Sequence, residues 1–442
     1  MASTKIEYAK GGSDFRTKGT ISCWVKRSSL GVQQSVWSWG ENNSSDAYLR
    51  FDTADNIEMH CDGAGGTFNT TSLHRDINGW YHIVFSIDGS NATANLRRRF
   101  WINGVQIDEG SGKNDISTFS TSVLGWHSSQ DLWIGARARS QQSGDLEYFD
   151  GIMSHFHFCS NYSYSASDFG SFDSTTGEWS INTSPNVQYG THGFFLKMEN
   201  SSNMDFDSSS NGHVLTTSGT LTKTEDCPDN VFATFNTLAQ TLSGITYSNG
   251  NTVASMTGDV GQRQSISTLG MPSGKFYMEC KLQAIGSTGG SFPYVGIVAQ
   301  EKYDSDMYVG GNGTGWHPTG DIYNGGSNSS SGSTYTTGDI IGIAVDIDNS
   351  KLYWHKNGTY IMSGNPTTGS NGYDISSRTA EGVLGFGVSH WNNNGVWQAN
   401  FGNGYFANNP ISSAGTNASG IGIFEYDVPA GFTALSTKGL NL

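Results

Sequence analysis

The chain has 442 residues, 35% hydrophobic and 14% charged, with 12% aromatic residues, 58 glycines and a formal net charge of −15. That length suits two or three domains, and scarce charge with many aromatics argues against a disordered chain. The acidic balance repels nucleic acid phosphates and anionic lipid, so neither nucleic acid nor membrane insertion is expected.

Stretches rich in Ala, Leu, Glu and Lys are almost absent, while Gly, Ser, Thr, Asn and aromatic residues abound. Such a composition predicts an all-β chain of short strands joined by polar turns. The first segment, MASTKIEYAKGG, lacks a charged region followed by an apolar core, so no secretory signal is expected and synthesis in a cytoplasm is. No stretch approaches 18 apolar residues, which leaves no spanning helix. Between residues 1 and 160, ISCWVKRS, SVWSWG, AYLRF, IEMHC, YHIVFSID, FWING, LWIGA and FDGIMSHFHF supply eight strand candidates. In GWYHIVFSIDGSN (Gly79–Asn91), Tyr81, Ile83, Phe85 and Ile87 alternate with His82, Val84 and Ser86, an antiparallel pattern with one buried and one freer face. Arg97, Arg98 and Arg99 then precede FWINGVQI, and they read as a charged strand entrance rather than an anion site.

Residues 161–230 loosen into a Ser-, Asp- and Asn-rich connector that still contributes strands, GFFLKMEN and HVLTTSGTLT. From 231 to 442 strands return in KFYMECKL, YVGIVAQ, GVLGFGVS and VWQANFG. GDIIGIAVDIDNSKLYWHKNG (Gly338–Gly358) repeats the earlier scan: alternating strand, acidic turn, aromatic strand, Asn-Gly hairpin. A meander that occurs twice predicts two antiparallel, jelly-roll-like β-sandwich domains in series. The tail, FEYDVPAGFTALSTKGLNL, is expected to be extended. Cys23, Cys61, Cys159, Cys227 and Cys280 are odd in number and scattered, which disfavours both a zinc site and a disulfide framework.

Residues of about 20–158 resemble a laminin-G or concanavalin-A-like jelly roll, through GTISCWVKRS, GWYHIVFSIDGS, FWINGVQI, DLWIGARA and YFDGIMSHFHF. Residues of about 230–405 are similar to a SPRY domain, through GKFYMECKL, YVGIVAQE, GDIIGIAVDIDNSKLYWHKNG and VWQANFG. ASDFGSFDSTTGEW, YGTHGFFLKMENSS, LTKTEDCPDNVFATFNTL and VPAGFTALSTKGL resemble segments of virion structural proteins of tailed bacteriophages. Fold resemblance does not fix a function, so sites are sought separately.

Concanavalin-A-like glucanases need two carboxylates placed about 5–10 Å apart. No two glutamates fall within ten residues of each other here, and Asp108/Glu109 and Asp145/Glu147 read as solvated turns. No hydrolase elbow, zinc-protease motif or phosphate loop occurs, and GGNGTG (Gly310–Gly315) reads as a loop. His155 and His157 lie two apart on a strand and do not make a metal set by themselves. No catalytic residue and no cofactor is assigned, although calcium is a weak possibility at Asp205, Asp207 and Asn211, where turn formation competes. Exposed aromatics beside polar groups are what glycan or receptor recognition requires. The resemblance to SPRY domains implies such loops at Trp316, His317, Asp321 and Tyr323 and at Trp391, Asn392, Asn393 and Asn394; Trp126 is a weaker candidate. Trp316 and Trp391 can equally be lids on the core, and Trp397, alternating with Ala399 and Phe401, reads as core.

The resemblance implies a non-enzymatic structural protein on the virion surface, assembled in the host cytoplasm. Its expected partners are other virion proteins, further copies of itself as a homo-oligomer, and a host cell-surface glycan or receptor. Rival expectations are a purely structural cement or decoration protein, a glycan hydrolase, and a cytoplasmic SPRY-type interaction module.

Overall fold

The structure, a computed structural model, describes residues 4–9, 17–39, 46–61, 66–107, 131–137, 147–240, 243–256, 261–286, 293–304, 307–391 and 394–442. The chain is all-β and divides into two compact units, Met1–Lys223 and Thr224–Leu442.

The first unit is a sandwich. One sheet of six strands runs in the order Phe194–Leu196, Gly151–Ser160, Lys18–Arg27, Tyr81–Asp88, Arg98–Ile102 and Val105–Gln106. A seven-stranded sheet faces it, with Gln34–Trp39 and Ala47–Phe51 near its middle and Thr216–Ser218 at one edge. Period-two alternation sends Tyr81, Ile83, Phe85 and Ile87 inward, where they meet Trp37, Trp39, Phe51 and Phe158. Within residues 161–223, Phe194–Leu196 and Thr216–Ser218 each add a strand to one of these sheets.

In the second unit a nine-stranded sheet is built around Gly395–Asn400, Lys275–Ile285, Ile340–Asp346 and Lys351–Lys356. It packs on a six-stranded sheet ordered Gln262–Ile266, Leu384–Trp391, Tyr294–Ala299, Gly313–Trp316, Asp321–Asn324 and Ser327–Ser330. Ile341, Ile343 and Val345 enter this core with Trp354 and Trp397. The indole N–H of Trp354 donates to the carbonyl of Val295 at 3.1 Å, so the buried ring leaves no unpaired donor. Both meanders close as the sequence predicts: Asn103 and Gly104 (φ 46° and 78°) and Asn357 and Gly358 (φ 49° and 85°) adopt the positive angles of tight hairpins.

The expectation of one freer face on these strands is corrected. Tyr81–Asp88 is buried on both faces almost throughout, because Phe169, Val187 and Trp179 from the following segment cover Val84 and Trp101. In the second unit the C-terminal tail does the covering, with Phe424, Val428 and Phe432 packed on Tyr277, Ala344 and Tyr353. Thr433–Ala434 pairs in parallel with Phe276 and Tyr277, so the tail is docked rather than loosely extended.

Glu279 pins that tail. Its carboxylate accepts from the backbone N–H of Glu425 (2.9 Å) and Tyr426 (2.8 Å), the hydroxyl of Tyr277 (3.0 Å) and the amide of Asn400 (3.4 Å). The beginning and end of the unit also meet: Phe232 bridges Ser436, and the Ala233 N–H donates to Leu435 at 2.9 Å. None of the five cysteines forms a disulfide, and four of them are buried.

Candidate functional site

The outer face of the second unit's six-stranded sheet is where expected site residues converge. Strand Tyr294–Ala299 sends Val295, Ile297 and Ala299 into the core, which turns Tyr294 and Val298 outward. Register then extends this face: Tyr294 opposes Ser389, Gly296 opposes Gly315, and Gly315 opposes Tyr323. Two positions on, Trp391 shares the side of Ser389, and Asp321 shares the side of Tyr323.

Small residues make room here. A single helical turn, Val309–Asn312, lies against the face, and the Val309 N–H donates to the Ser389 hydroxyl at 3.0 Å. A Cβ on Gly315 would sit 3.1 Å from Val309 Cγ1 and 3.3 Å from Tyr294 Cβ, and one on Gly310 would collide with Tyr323. Without side chains at those two positions the tyrosine rings close up. Tyr294 lies 4.9 Å from Tyr308, 5.3 Å edge-on from Tyr323 and 4.9 Å from His317. Tyr294 is buried at the centre, while Tyr308, Tyr323 and Asp321 are half-buried around it and Asn328 and Ser330 are exposed.

Electrostatics keep the cluster neutral apart from one carboxylate. Burial pushes the His317 imidazole down to about 4 against the opposing pull of Asp321. Its Nδ1 accepts from the Thr319 N–H (3.3 Å) and lies 2.6 Å from the Thr319 hydroxyl, which is itself 3.2 Å from Asp321 Oδ2. Burial, with the neighbouring tyrosines, raises the Tyr294 hydroxyl far above its ordinary value. Flat rings ringed by hydroxyl, amide and carboxylate groups suit stacking and hydrogen bonding to a polyol.

Sequence expectations fare unevenly here. His317, Asp321 and Tyr323 come together, and Trp391 lies on the same face, 38% exposed. Trp316 is corrected: strand parity turns it inward, where it is 0% exposed, edge-on to Tyr335 at 4.7 Å, with its indole N–H donating to Ser333 at 3.2 Å. No ligand can stack on it. Asn394 is exposed with φ 60°, whereas Asn392, Asn393 and Trp126 lie outside the described residues. Tyr294 and Tyr308 went unnoticed in the sequence, although the Tyr-Val pairs that begin YVGIVAQ and precede GGNG mark both positions.

Carboxylates gather elsewhere in the first unit, around the arginine of strand Ala47–Phe51: Asp46 just before that strand, Glu58 on Ile57–Cys61 and Glu147. Glu147, read from sequence as a solvated turn residue, is corrected: it is buried and accepts from Ser35 (2.8 Å) and Arg50 (2.9 Å). Its strand pairs with Ala136–Arg137, which carries it under the arginines. Arg50 also pairs with Glu58 (2.8 Å), and Arg137 pairs with Asp46 (2.7 Å). The His60 and Arg137 contacts outweigh burial and hold the Asp46 carboxyl below its usual range. Carboxylates engaged in this way are poorly placed to exchange protons with a substrate.

The weak calcium trio is committed to the backbone. Asp207 accepts from the N–H groups of Phe195 (3.0 Å), Ser209 (2.8 Å) and His213 (2.8 Å). Asp205 accepts from Thr217 (2.6 Å), and the Asn211 amide donates to Gly190 (2.6 Å) and Gly193 (2.8 Å). Among the described residues no group of three or more His, Cys, Asp or Glu side chains is arranged to hold a metal. The helices described there include none long and apolar enough to cross a membrane.

Residues 4–168 match the family model described as the concanavalin A-like lectin/glucanases superfamily. Among curated proteins no sequence matches the chain. Among solved structures, the SPRY domain of human HERC1 is 16% identical, with 36% of this chain covering 92% of that one at a TM-score of 0.29. Domains LG4-5 of the mouse laminin alpha1 chain are 9% identical, with coverage of 98% of this chain and 84% of theirs at 0.29. The native heptameric SAP-like pentraxin from Limulus polyphemus is 10% identical, with coverage of 50% and 90% at 0.30.

Proposed function

We propose that this chain is a non-catalytic recognition protein whose second unit binds a host-surface glycan or receptor through the Tyr294–Tyr308–Tyr323 face. The observation that carries the reading is the convergence of three tyrosines, His317, Asp321 and the exposed Trp391 on one side of one sheet. The match of residues 4–168 to a lectin and glucanase superfamily is consistent with sugar as the ligand class. Binding is favoured over hydrolysis because Asp46, Glu58 and Glu147 are tied up by arginines.

The finer part of the proposal is its setting. The protein sits on the exterior of a tailed-phage particle, as a fibre or knob adhesin or as a capsid or tail decoration, among other virion proteins and copies of itself. Its support is the resemblance of several segments to phage virion proteins, and many copies would give weak sites avidity. Assembly in the host cytoplasm would keep the five thiols reduced.

The test has two arms. Antibody against the chain, gold-labelled, should decorate purified particles in electron micrographs. Labelled protein should bind host cells, and the double variant Tyr323→Ala/Trp391→Ala should lose that binding while keeping a cooperative melting transition. Label on particles with no binding to cells or glycans would instead make it a cement protein.

A further inference from the structure

A cleft in the first unit is lined by residues outside the stretch that matches the lectin superfamily. At the edge of the six-stranded sheet, Phe194 and Leu196 point into the core, so Phe195 and Lys197 point outward. There a cleft of about 320 Å³ opens between residues 183–189 and residues 208–210. Its volume is at the small end of the ~300–1,000 Å³ typical of small-molecule sites.

The floor is a stack of rings. Phe195 lies 4.0 Å from His157 at 15° and 6.2 Å from Tyr189 at 6°, and the Tyr189 hydroxyl is 3.0 Å from His157 Nδ1. Both walls bear hydroxyls, Thr183 and Ser184 on one side and Ser208 and Ser210 on the other. Asp207 makes the second wall rigid, since its carboxylate gathers three backbone N–H groups from the same turn and from Phe195. Lys197 stands beside this floor, its ammonium 5.9 Å from the Phe195 ring, and no carboxylate pairs with it among the described residues.

The geometry points to a carboxylated saccharide as the ligand, with its carboxylate on Lys197, its hydroxyls between the serine and threonine walls, and a ring face toward Tyr189. Phosphate and sulfate fit less well. Among the described residues Lys197 is the single cation lining the cleft, and His157 beneath it is held neutral by burial. A carboxylate carried on a polyol meets one cation and several hydroxyls, which is the complement found. This site is independent of the tyrosine face and stands or falls separately.

The test is titration calorimetry of the full chain with digalacturonate, its neutral analogue digalactose and inorganic phosphate. Digalacturonate should bind, and it should weaken as salt is raised. Lys197→Gln should weaken it about tenfold or more, as for loss of a charge-assisted hydrogen bond, while Lys197→Arg retains it. The Tyr323→Ala/Trp391→Ala protein should bind digalacturonate as the parent does, which separates this site from the first. Absence of digalacturonate binding, equal affinity for digalactose, tighter binding of phosphate, or an unaffected Lys197→Gln variant would each overturn the proposal.

Discussion

Two tryptophans 75 positions apart show how much a single residue's parity decides. Trp316 and Trp391 stand in similar Gly- and Asn-rich surroundings, yet one fills the core and the other meets solvent at 38% exposure. Trp316→Ala should cost about 3–5 kcal/mol of stability, as large-to-small core changes do, whereas Trp391→Ala should leave thermal melting unchanged. A calorimetric scan of both variants decides the point, and equal melting temperatures would contradict the assignment. Arg50 makes the same argument with charge. It bridges Glu58 and Glu147, all three largely withdrawn from water. Arg50→Ala removes the cation between two buried carboxylates, leaving Glu58 with the Tyr48 hydroxyl and Glu147 with Ser35 and Arg137, and should cost up to about 3–5 kcal/mol, the usual penalty for breaking a buried pair; urea unfolding of the variant measures it. Neither Glu147's burial nor its partners were legible in sequence, because Ser35, Arg50 and Arg137 lie 97 to 112 positions and 10 positions away. Pairing across a sheet leaves no local trace.

At the scale of elements, strand existence was legible wherever alternation ran for five or more residues, as in Tyr81–Asp88 and Ile340–Asp346. What alternation could not show is what lies on the second face. A strand with a Gly-Ala-Asp side reads as half-exposed, but the tail comes from 80 positions downstream to cover Ala344. The strap has a pH signature. Burial outweighs four hydrogen-bond donors and raises the Glu279 carboxyl from the ordinary 4.5 to about 7. Between those values the folded unit keeps a proton that the unfolded chain has released. The stabilising contribution is therefore complete below pH 4.5 and is lost as pH rises through 7. Glu279→Gln should flatten that portion of the stability–pH curve, read by urea unfolding from pH 4.5 to 8. An unaltered slope would mean that Glu279 does not titrate there.

Across the whole molecule, the all-β class and the doubled meander were legible because they rest on composition and period. The candidate sites were half legible: His317, Asp321, Tyr323 and Trp391 carry polar or aromatic signals in loop-like sequence, but the cleft at Lys197 depends on three segments meeting. Buried histidines give the first unit an acid response of its own. His82 accepts from the Trp179 indole at Nδ1 (3.0 Å), and its Nε2 lies 2.8 Å from the Ser22 hydroxyl. Burial lowers it from 6.5 to about 3. Its contribution is present above pH 6.5 and is lost as pH falls toward 3, because the unfolded chain takes up the proton first. His82→Gln should reduce the acid sensitivity of the first unit's melting over that range, followed by scanning calorimetry at pH 7, 5.5 and 4.

One further feature reaches beyond stability. Val231 to Phe235 and Leu435 to Thr437 lie side by side in the second unit, joined by the Phe232–Ser436 bridge and by the Thr437 N–H to Val231 contact of 2.9 Å. A module that enters and leaves at one place behaves as a cassette: it can be spliced into a surface loop of an unrelated scaffold, which sees only a short gap to span. Grafting residues 224–442 between two adjacent strands of a stable carrier should give a fusion that keeps the carrier's fold. The same arrangement makes the unit portable between proteins by recombination, with its tyrosine face intact.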